Sequence, residues 1–533
     1  TQTVLQPGES EYVELTMNVS DMASYDYEGF IVPGGGYVLE EGNYTLSLRT
    51  DSHTIATDKV VNGSGSVHND AIIHYSVNEN TNYLQDEVYN RFTSEDTTDG
   101  VAIDGNSDGS AEITYLSRAN FEGTFPIEQG ENRAMTEEIM ALNLYTEEMA
   151  DEWAAERSDA EAVTFGDTSQ GGLVYEDGQI NDYGMQLGFD YDDPEWEELL
   201  NRITKQEMLS LVLSSYTETQ AIPSIGKPKT NDFDGPNQPG SFSDGITAEA
   251  TGFSSIALAQ TWNAELAYSM GSAFATECNS YGINGLYGPG VNLHRSPFGG
   301  RNYEYYSEDP LISGVMCANF VKAAKNKGVF CYLKHICLYE TESGRDGMYV
   351  WLTEQALREL YLRPFEIAVK EGGSNAIMTS YGRIGAVWTG ASEALLQEVI
   401  TGEWGFRGAF LTDYSDHPEF MDPDAMIRAG GDLFMRVGGG SFNYEQESNA
   451  FDQALRAATK DVVYMWLNTL ATNADYNAKI ESGEIDDEIV IPTSPKLNFR
   501  WYIPVLVAVD VVAVAGCAVW LFFAFKKKKA KEE

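Results

Sequence analysis

Two kinds of hydrophobic spacing divide this chain. In residues 1–65 apolar and polar positions alternate: Val13, Leu15, Met17 and Val19, then Tyr44, Leu46 and Leu48 after the turn Glu40-Glu41-Gly42-Asn43. A period of two sends successive side chains to opposite faces of a strand. With Gly34-Gly35-Gly36 as a further turn, the segment predicts a small all-β sandwich without catalytic features. Residues 66–193 predict a linker and wrap-around segment. Within it Ser94 to Gly109 is a polar surface loop broken by Val101-Ala102-Ile103, and residues 158–193 are an acidic, glycine-rich arm. From Thr136 to Arg157 the period changes to that of a helix: Ile139, Leu142, Met149 and Trp153 fall near one face and Thr136 caps it. Thr204-Lys205-Gln206-Glu207 fits a capping box ahead of Met208-Leu209 and Leu211-Val212.

From about residue 220 short apolar runs alternate with helical stretches. Strands are expected to end near Asp234, near Val291-Asn292-Leu293, at Leu333-Lys334-His335, at Met378-Thr379-Ser380-Tyr381, at Asp413, and around Asp432-Leu433-Phe434-Met435. A helix is predicted from Thr353 to Leu362, interrupted by Pro364. Repeated βα units imply a parallel sheet with helices outside it. The fold class is therefore α/β, and the span 194–475 has the size of a (β/α)8 TIM-like barrel. A doubly wound sheet is the competing architecture. No GxGxxG follows the first strand, so nothing points to a dinucleotide.

After a juxtamembrane linker, 476–501, the chain is apolar from Tyr502 to Phe525 apart from Asp510, and Lys526 to Lys529 follow. About 20 apolar residues cross a bilayer core. Residues 502–525 are thus a predicted transmembrane helix, and 526–533 a basic tail on the cytoplasmic side. The expected location is the cell membrane, single-pass, with the preceding chain outside. The net charge of −48 over 533 residues excludes nucleic acid as a partner, because phosphate binding needs clustered Lys and Arg. Five cysteines without a CxxC pair and six scattered histidines supply no zinc framework. No metal and no organic cofactor are expected. Cys331 and Cys337 pair only if the fold brings them together.

Candidate chemistry lies at the predicted strand ends. In Trp404-Gly405-Phe406-Arg407-Gly408-Ala409-Phe410-Leu411-Thr412-Asp413-Tyr414 a glycine-bounded turn leads into a strand that ends in a carboxylate. Side chains at the carboxyl ends of such strands face the active site; a helix cap is the other explanation for Asp413. Asp234, Arg301, Lys334, His335, Arg345 and Tyr381 occupy comparable positions. Carboxylates that accept, cations that donate and aromatic rings that stack are the mixture a hydroxyl-rich ligand needs.

These stretches resemble glycoside hydrolase family 3, the β-glucosidase-like family. The resemblance rests on Gly288-Pro289-Gly290-Val291-Asn292-Leu293-His294-Arg295-Ser296-Pro297, on Gly299-Gly300-Arg301-Asn302-Tyr303-Glu304-Tyr305-Tyr306-Ser307-Glu308-Asp309-Pro310, on Lys334-His335, on Glu359 to Glu366, on Met378 to Tyr381 and on Trp404 to Tyr414. It covers most of residues 195–470. It implies a retaining β-glycosidase acting on terminal, non-reducing β-linked sugars, with an oligosaccharide or β-glucoside as substrate. Asp413 would be the catalytic nucleophile. Asp234, Arg301, Lys334, His335, Arg345 and Tyr381 would hold sugar hydroxyls, and Met378 and Tyr414 would line the subsite. Residues 1–65 look like the family's fibronectin type III-like domain. Its place before the barrel is similar to circularly permuted members, which implies an α/β-sandwich domain upstream of Thr1. In the glucosidase branch that domain carries the general acid/base Glu, and no residue of this chain matches it; Glu340 and Glu342 are the only nearby carboxylates considered for the role. The branch with an acid/base His after Lys-His does not match Ile336 to Glu340. Tyr339 stands where many glucosidases have Asn, and Gly382 where Asn usually follows the Tyr. The alternative function is a non-catalytic cell-surface protein that binds carbohydrate through the same pocket.

Overall fold

Short, largely apolar runs spaced along residues 232–411 become the parallel sheet. We describe a computed structural model, which covers residues 6–9, 16–49, 51, 53–56, 60–61, 67–68, 71–83, 87–92, 102–105, 115, 135–167, 171–235, 254–444 and 446–486. Five strands lie side by side in chain order: β1 (Asp232–Asp234), β2 (Gly285–Gly290), β3 (Phe330–Ile336), β4 (Ala376–Thr379) and β5 (Ala409–Leu411), every neighbouring pair parallel. A sixth edge begins at Leu433, bridged in parallel to Leu411. A doubly wound sheet reverses its strand order at a switch point, and this one does not. Consecutive order is that of the barrel alternative. The described residues nevertheless contain five such strands and one bridge, not eight, so the full barrel is not among them.

Burial follows from the position of these strands between two layers. All seven residues of β3 are buried. Leu286, Cys331, Leu333, Ile377 and Phe410 join a core with helices α1 (Ala264–Ser280) and α2 (Pro310–Asn326). Tyr287, Tyr332, Ala376, Met378 and Leu411 belong to a second core with the long helix α3 (Asn449–Ser482). Alternate residues thus serve opposite faces, and because both faces are covered the strands read as continuous apolar runs. Helices α1 and α2 pack closely enough that a Cβ at Gly271 would meet the Phe320 carbonyl. Before β5, Gly408 has φ +144° and lies against the Asn375 backbone, where a side chain would meet that backbone.

Local predictions met tertiary structure with mixed results. Thr204 and Glu207 form the capping box, with the two backbone bonds at 2.9 and 3.2 Å. The helix expected over Thr136 to Arg157 is two helices, Glu137–Ala141 and Glu147–Glu156. Asn143 between them is bonded to Arg383 and Tyr349, and Thr146 caps a new start. The arm 158–193 contains the helix Asp182–Phe189, whose Gly188 lies against Leu467 and Ala471 of α3. Pro364 does not break its helix. Wider π turns at Leu357–Leu362 precede it, and it then sits in the first turn of Arg363–Lys370, where a missing N–H costs little.

At the N-terminal side the all-β reading holds, but the pairing passes residue 65. Ser24–Tyr25, Tyr37–Leu39 and Thr81–Tyr83 form one antiparallel sheet, and Gly42–Ser47 pairs with Ile72–Val77. Val19–Met22 is a 3₁₀ turn rather than a strand: Asp21 accepts from the Asn18 backbone N–H at 3.1 Å, a local bond that competes with sheet pairing. The β segment is fastened to the helical layer by buried charge. Glu354 accepts from the Arg91 and Phe92 N–H groups and pairs with Arg358, which also pairs with Glu403 at 2.6 Å.

Most of the predicted loop 94–109 lies outside the described residues, although Ile103 is buried and its carbonyl accepts from the Leu352 N–H. Helix α3 runs to Ser482, into the predicted juxtamembrane linker, and ends at Gly483 with φ +75°, a left-handed cap. Among the described residues no helix is long and apolar enough to cross a membrane. The predicted span 502–525 and tail 526–533 lie outside them. Cys278, Cys317, Cys331 and Cys337 are buried free thiols, so Cys331 and Cys337 do not pair.

Candidate active site at the strand carboxyl ends

Asp413 lies two residues past the last residue of β5 and is 9% exposed. One carboxylate oxygen, Oδ1, accepts from the Tyr414 N–H at 2.8 Å. The other, Oδ2, is buried with no hydrogen-bond partner, and His335 Nε2 is 3.7 Å away. Burial raises the Asp413 pKa to about 6, against the Tyr414 N–H and the charges of Arg301, Lys334 and Arg345, which lower it. Asp413 caps no helix: the next one, Pro423–Arg428, begins ten residues further on and is capped by Asp422. An unsatisfied buried oxygen is costly and calls for a partner from outside the protein, a water or a ligand atom.

The remaining candidates gather around it from four strand ends and the loops between them. Lys334 Nζ contacts Asp234 Oδ1 at 2.7 Å and Glu304 Oε1 at 3.1 Å. Arg301 grips Glu304 with two bonds, 2.7 Å from Nε and 2.8 Å from Nη2. Burial disfavours the Lys334 charge, but Asp234 and Glu304 outweigh it and hold the ammonium. His335 is driven well below its ordinary value by burial and then by Arg301, Lys334 and Arg345, so it is neutral. The β3 ladder shifts register against both neighbours around these two residues, and such an irregularity lets adjacent side chains reach one region. Their backbone is fixed by Asn292, whose Oδ1 accepts from the His335 N–H at 2.7 Å.

The other side of the site is aromatic. Arg345 Nη1 donates to the Tyr339 hydroxyl at 2.9 Å and its guanidinium lies 5.0 Å from the Tyr381 ring centroid. Tyr381 OH donates to the Tyr414 carbonyl at 2.6 Å and is 3.2 Å from Asp416. The Tyr414 ring meets Tyr216 edge-on at 5.6 Å. Met378 is enclosed within β4, in the core beneath these groups. All nine residues singled out by sequence therefore fall in this region. Four groups were not given a role there: Glu304, Asn292, Tyr339 and Asp416. Glu304 and Asn292 had a signal, since each lies inside a motif already quoted. Asp416 had none, because its link to Tyr381 is tertiary.

The two extra carboxylates have different surroundings. Glu340 accepts from Asn292 at 3.3 Å, and burial raises its pKa to about 7. Glu342 is held by Arg345 at 3.1 Å and faces Arg301 at 3.7 Å. Among the described residues no cluster of His, Cys, Asp and Glu is built to hold a metal.

With this geometry in place, comparison with known proteins becomes informative. Residues 244–430 match the glycosyl hydrolase family 3 N terminal domain. The chain is 38% identical over 253 residues to beta-glucosidase B of Emericella nidulans, covering 47% of this chain and 30% of that protein. It is 26% identical over 437 residues to beta-glucosidase A of Butyrivibrio fibrisolvens, covering 82% of this chain and 48% of the relative. The crystal structure of a beta-glucosidase from Paenibacillus barengoltzii superposes with a TM-score of 0.58 at 21% identity, over 84% of this chain and 47% of the other, and so shares its α/β fold. In each case the chain spans less than half of the other protein. The family match contains Arg301, Lys334, His335, Arg345, Met378, Tyr381, Asp413 and Tyr414; Asp234 precedes it.

The Asp413 environment fixes the expected pH response of any reaction that uses it as a nucleophile. The group must be ionised, and its folded pKa is about 6. The acidic limb of kcat/KM against pH is expected to bend near 6, above the ordinary aspartate value, as activity falls with falling pH. A profile flat down to pH 4.5 would contradict that role.

Proposed function

We propose that the chain provides the nucleophile half of a retaining β-glycosidase of the β-glucosidase type, acting on terminal, non-reducing β-linked sugars. The observation that carries this reading is the buried, unpartnered Asp413 Oδ2 at the end of β5. Asp413 attacks the anomeric carbon and the glycosidic C–O bond breaks. A covalent glycosyl-enzyme forms, which water then hydrolyses to return the carboxylate. Asp234, Lys334 and Arg301 bind hydroxyls at one side of the ring, Arg345 and Tyr381 at the other, and neutral His335 donates or accepts between them. The relatives, each a beta-glucosidase, support the substrate class.

A retaining glycosidase needs a second carboxylate about 5–5.5 Å from the first. Glu340 is bonded to Asn292, and Glu342 is paired with Arg345 and faces Arg301. We assign protonation of the leaving oxygen to a Glu on an α/β-sandwich domain outside this chain, in keeping with a circularly permuted order: β sandwich of fibronectin type III-like kind, then barrel, then membrane anchor at 502–525 with an outward-facing site.

A 2-deoxy-2-fluoro β-glucoside with a dinitrophenolate leaving group tests the nucleophile without needing the acid. Mass spectrometry of the digested protein is expected to place one glycosyl adduct on the peptide containing Asp413. The second reading is a carbohydrate binder without turnover. It is supported by saturable glucoside binding with no adduct on any peptide.

A further inference from the structure

Tyr339 stands inside the constellation yet has no assigned part in it. Its ring centroid is 4.8 Å from that of His335 and 6.2 Å from that of Tyr381, and the Arg301 guanidinium lies 5.6 Å away over its ring. Three groups that grip the sugar in the reading above therefore surround one phenol, and the fourth, Arg345, donates to its oxygen at 2.9 Å. A phenolic hydroxyl both donates and accepts. Arg345 uses the accepting side. Among the hydrogen bonds of the described residues none takes the Tyr339 proton. Burial, followed by the charge of Asp413, raises the pKa of the phenol, which keeps that proton in place. A buried donor whose ring lies against His335, itself 3.7 Å from the unpartnered Asp413 oxygen, with Arg345 fixing its direction, is half of a binding contact.

We propose that the Tyr339 hydroxyl donates to the sugar 2-hydroxyl, on the carbon next to the one that Asp413 attacks, and so determines which sugars this subsite accepts. The inference rests on the glycosidase reading. The attacking carboxylate defines where the anomeric carbon sits, and the 2-hydroxyl is the ring substituent nearest to it. The Lys334, Asp234 and Glu304 cluster lies toward β1 and β2 and serves the distal hydroxyls, which leaves the Tyr339 and Arg345 side for the 2-position. Bonds to this hydroxyl strengthen as the oxocarbenium-like transition state forms. An asparagine at position 339 would be shorter than the phenol and would lack its ring contacts with His335 and Tyr381. A sugar bearing a bulky 2-substituent would collide with the enclosed ring, so 2-acetamido sugars are excluded by the same residue.

The test compares the full chain with its Tyr339→Phe and Tyr339→Leu variants on dinitrophenyl β-glucoside and on the 2-deoxy analogue. Comparing proteins on one substrate at a time cancels the intrinsic reactivity of each. Tyr339→Phe is expected to lower kcat/KM for the glucoside about 10-fold or more, the effect of one buried hydrogen bond, and to match the wild type within about two-fold on the 2-deoxy substrate. Tyr339→Leu, which removes the donor together with the ring, shows the same pattern if the phenylalanine variant misfolds. Where turnover is absent, calorimetric affinities for glucose and 2-deoxyglucose replace the rates: the wild type prefers glucose and the variants do not. Equal losses on both sugars, or no loss, overturn the role of Tyr339 while leaving the glycosidase reading standing. A folded chain that neither binds nor cleaves any glucoside overturns both.

Discussion

Asp413→Gly lowers the turnover of an activated β-glucoside by a factor on the order of 10⁴ or more, the scale set by removal of a covalent nucleophile. The glycine variant keeps the Lys334, Arg301 and Arg345 charges, so the glucoside still binds. It also opens the space of the carboxylate beneath the anomeric carbon. Added azide is therefore expected to restore part of the rate and to yield the α-glycosyl azide, because the small anion enters from the face that Asp413 occupied. Product stereochemistry, read by NMR, is the decisive measurement. A general loss of folding produces neither rescue nor an inverted azide. If the variant retains more than about a tenth of the wild-type rate, Asp413 is not the nucleophile.

Glu304→Gln carries the largest expected cost in stability. Glu304 is 2% exposed and faces two cations, Lys334 at 3.1 Å and Arg301 at 2.7 and 2.8 Å. Removing one member of a buried charge network leaves the others uncompensated and costs about 3–5 kcal/mol. Urea unfolding at pH 7 is expected to show a loss of that size. The sign of its pH dependence follows from the same contacts. Burial opposes ionisation of Glu304, but Lys334 and Arg301 outweigh it and lower its pKa from 4.5 to about 2. A depressed folded pKa contributes stability that is complete above the ordinary value and is lost as pH falls through the folded one. The gap between wild type and variant thus narrows between about pH 4.5 and 2. A gap that stays constant over that window would show that Glu304 acts through packing rather than charge.

Strand ends were the most legible part of this sequence. A parallel strand buried on both faces is largely apolar, so the point where Leu411 gives way to Thr412 and Asp413 is visible in one dimension, whereas Lys334 and His335 proved to lie inside β3, which continues to Ile336. The capping box at Thr204 was visible for the same reason: its partners are three residues apart. What escaped detection depends on partners distant in the chain. The break at Asn143 comes from Arg383 and Tyr349, and the pairing of Ile72–Val77 with Gly42–Ser47 crosses a boundary that alternation had placed at residue 65. Pro364 was misjudged because a change of helical pitch upstream left it at a position that tolerates it. In the site, Lys334 and Asp413 were found through strand position. The hydrogen bond from Tyr381 to the Tyr414 carbonyl, and the link to Asp416, exist only once two neighbouring strands have been laid together.

Helix α3 sets the order in which this unit can be completed during synthesis. Each strand from β1 to β5 pairs with the one made just before it, so the sheet can grow from one edge as the chain emerges. Its inner face is another matter. Asn375, just ahead of β4, reaches the Met465 carbonyl and the Thr469 hydroxyl, while Asn468 on the same helix ties down the Gly188 carbonyl from far earlier in the chain. Until about residue 482 has left the ribosome, that apolar surface has no cover. The nascent chain thus carries an exposed apolar face from the emergence of β1 until α3 is complete, and over that interval it is prone to aggregate.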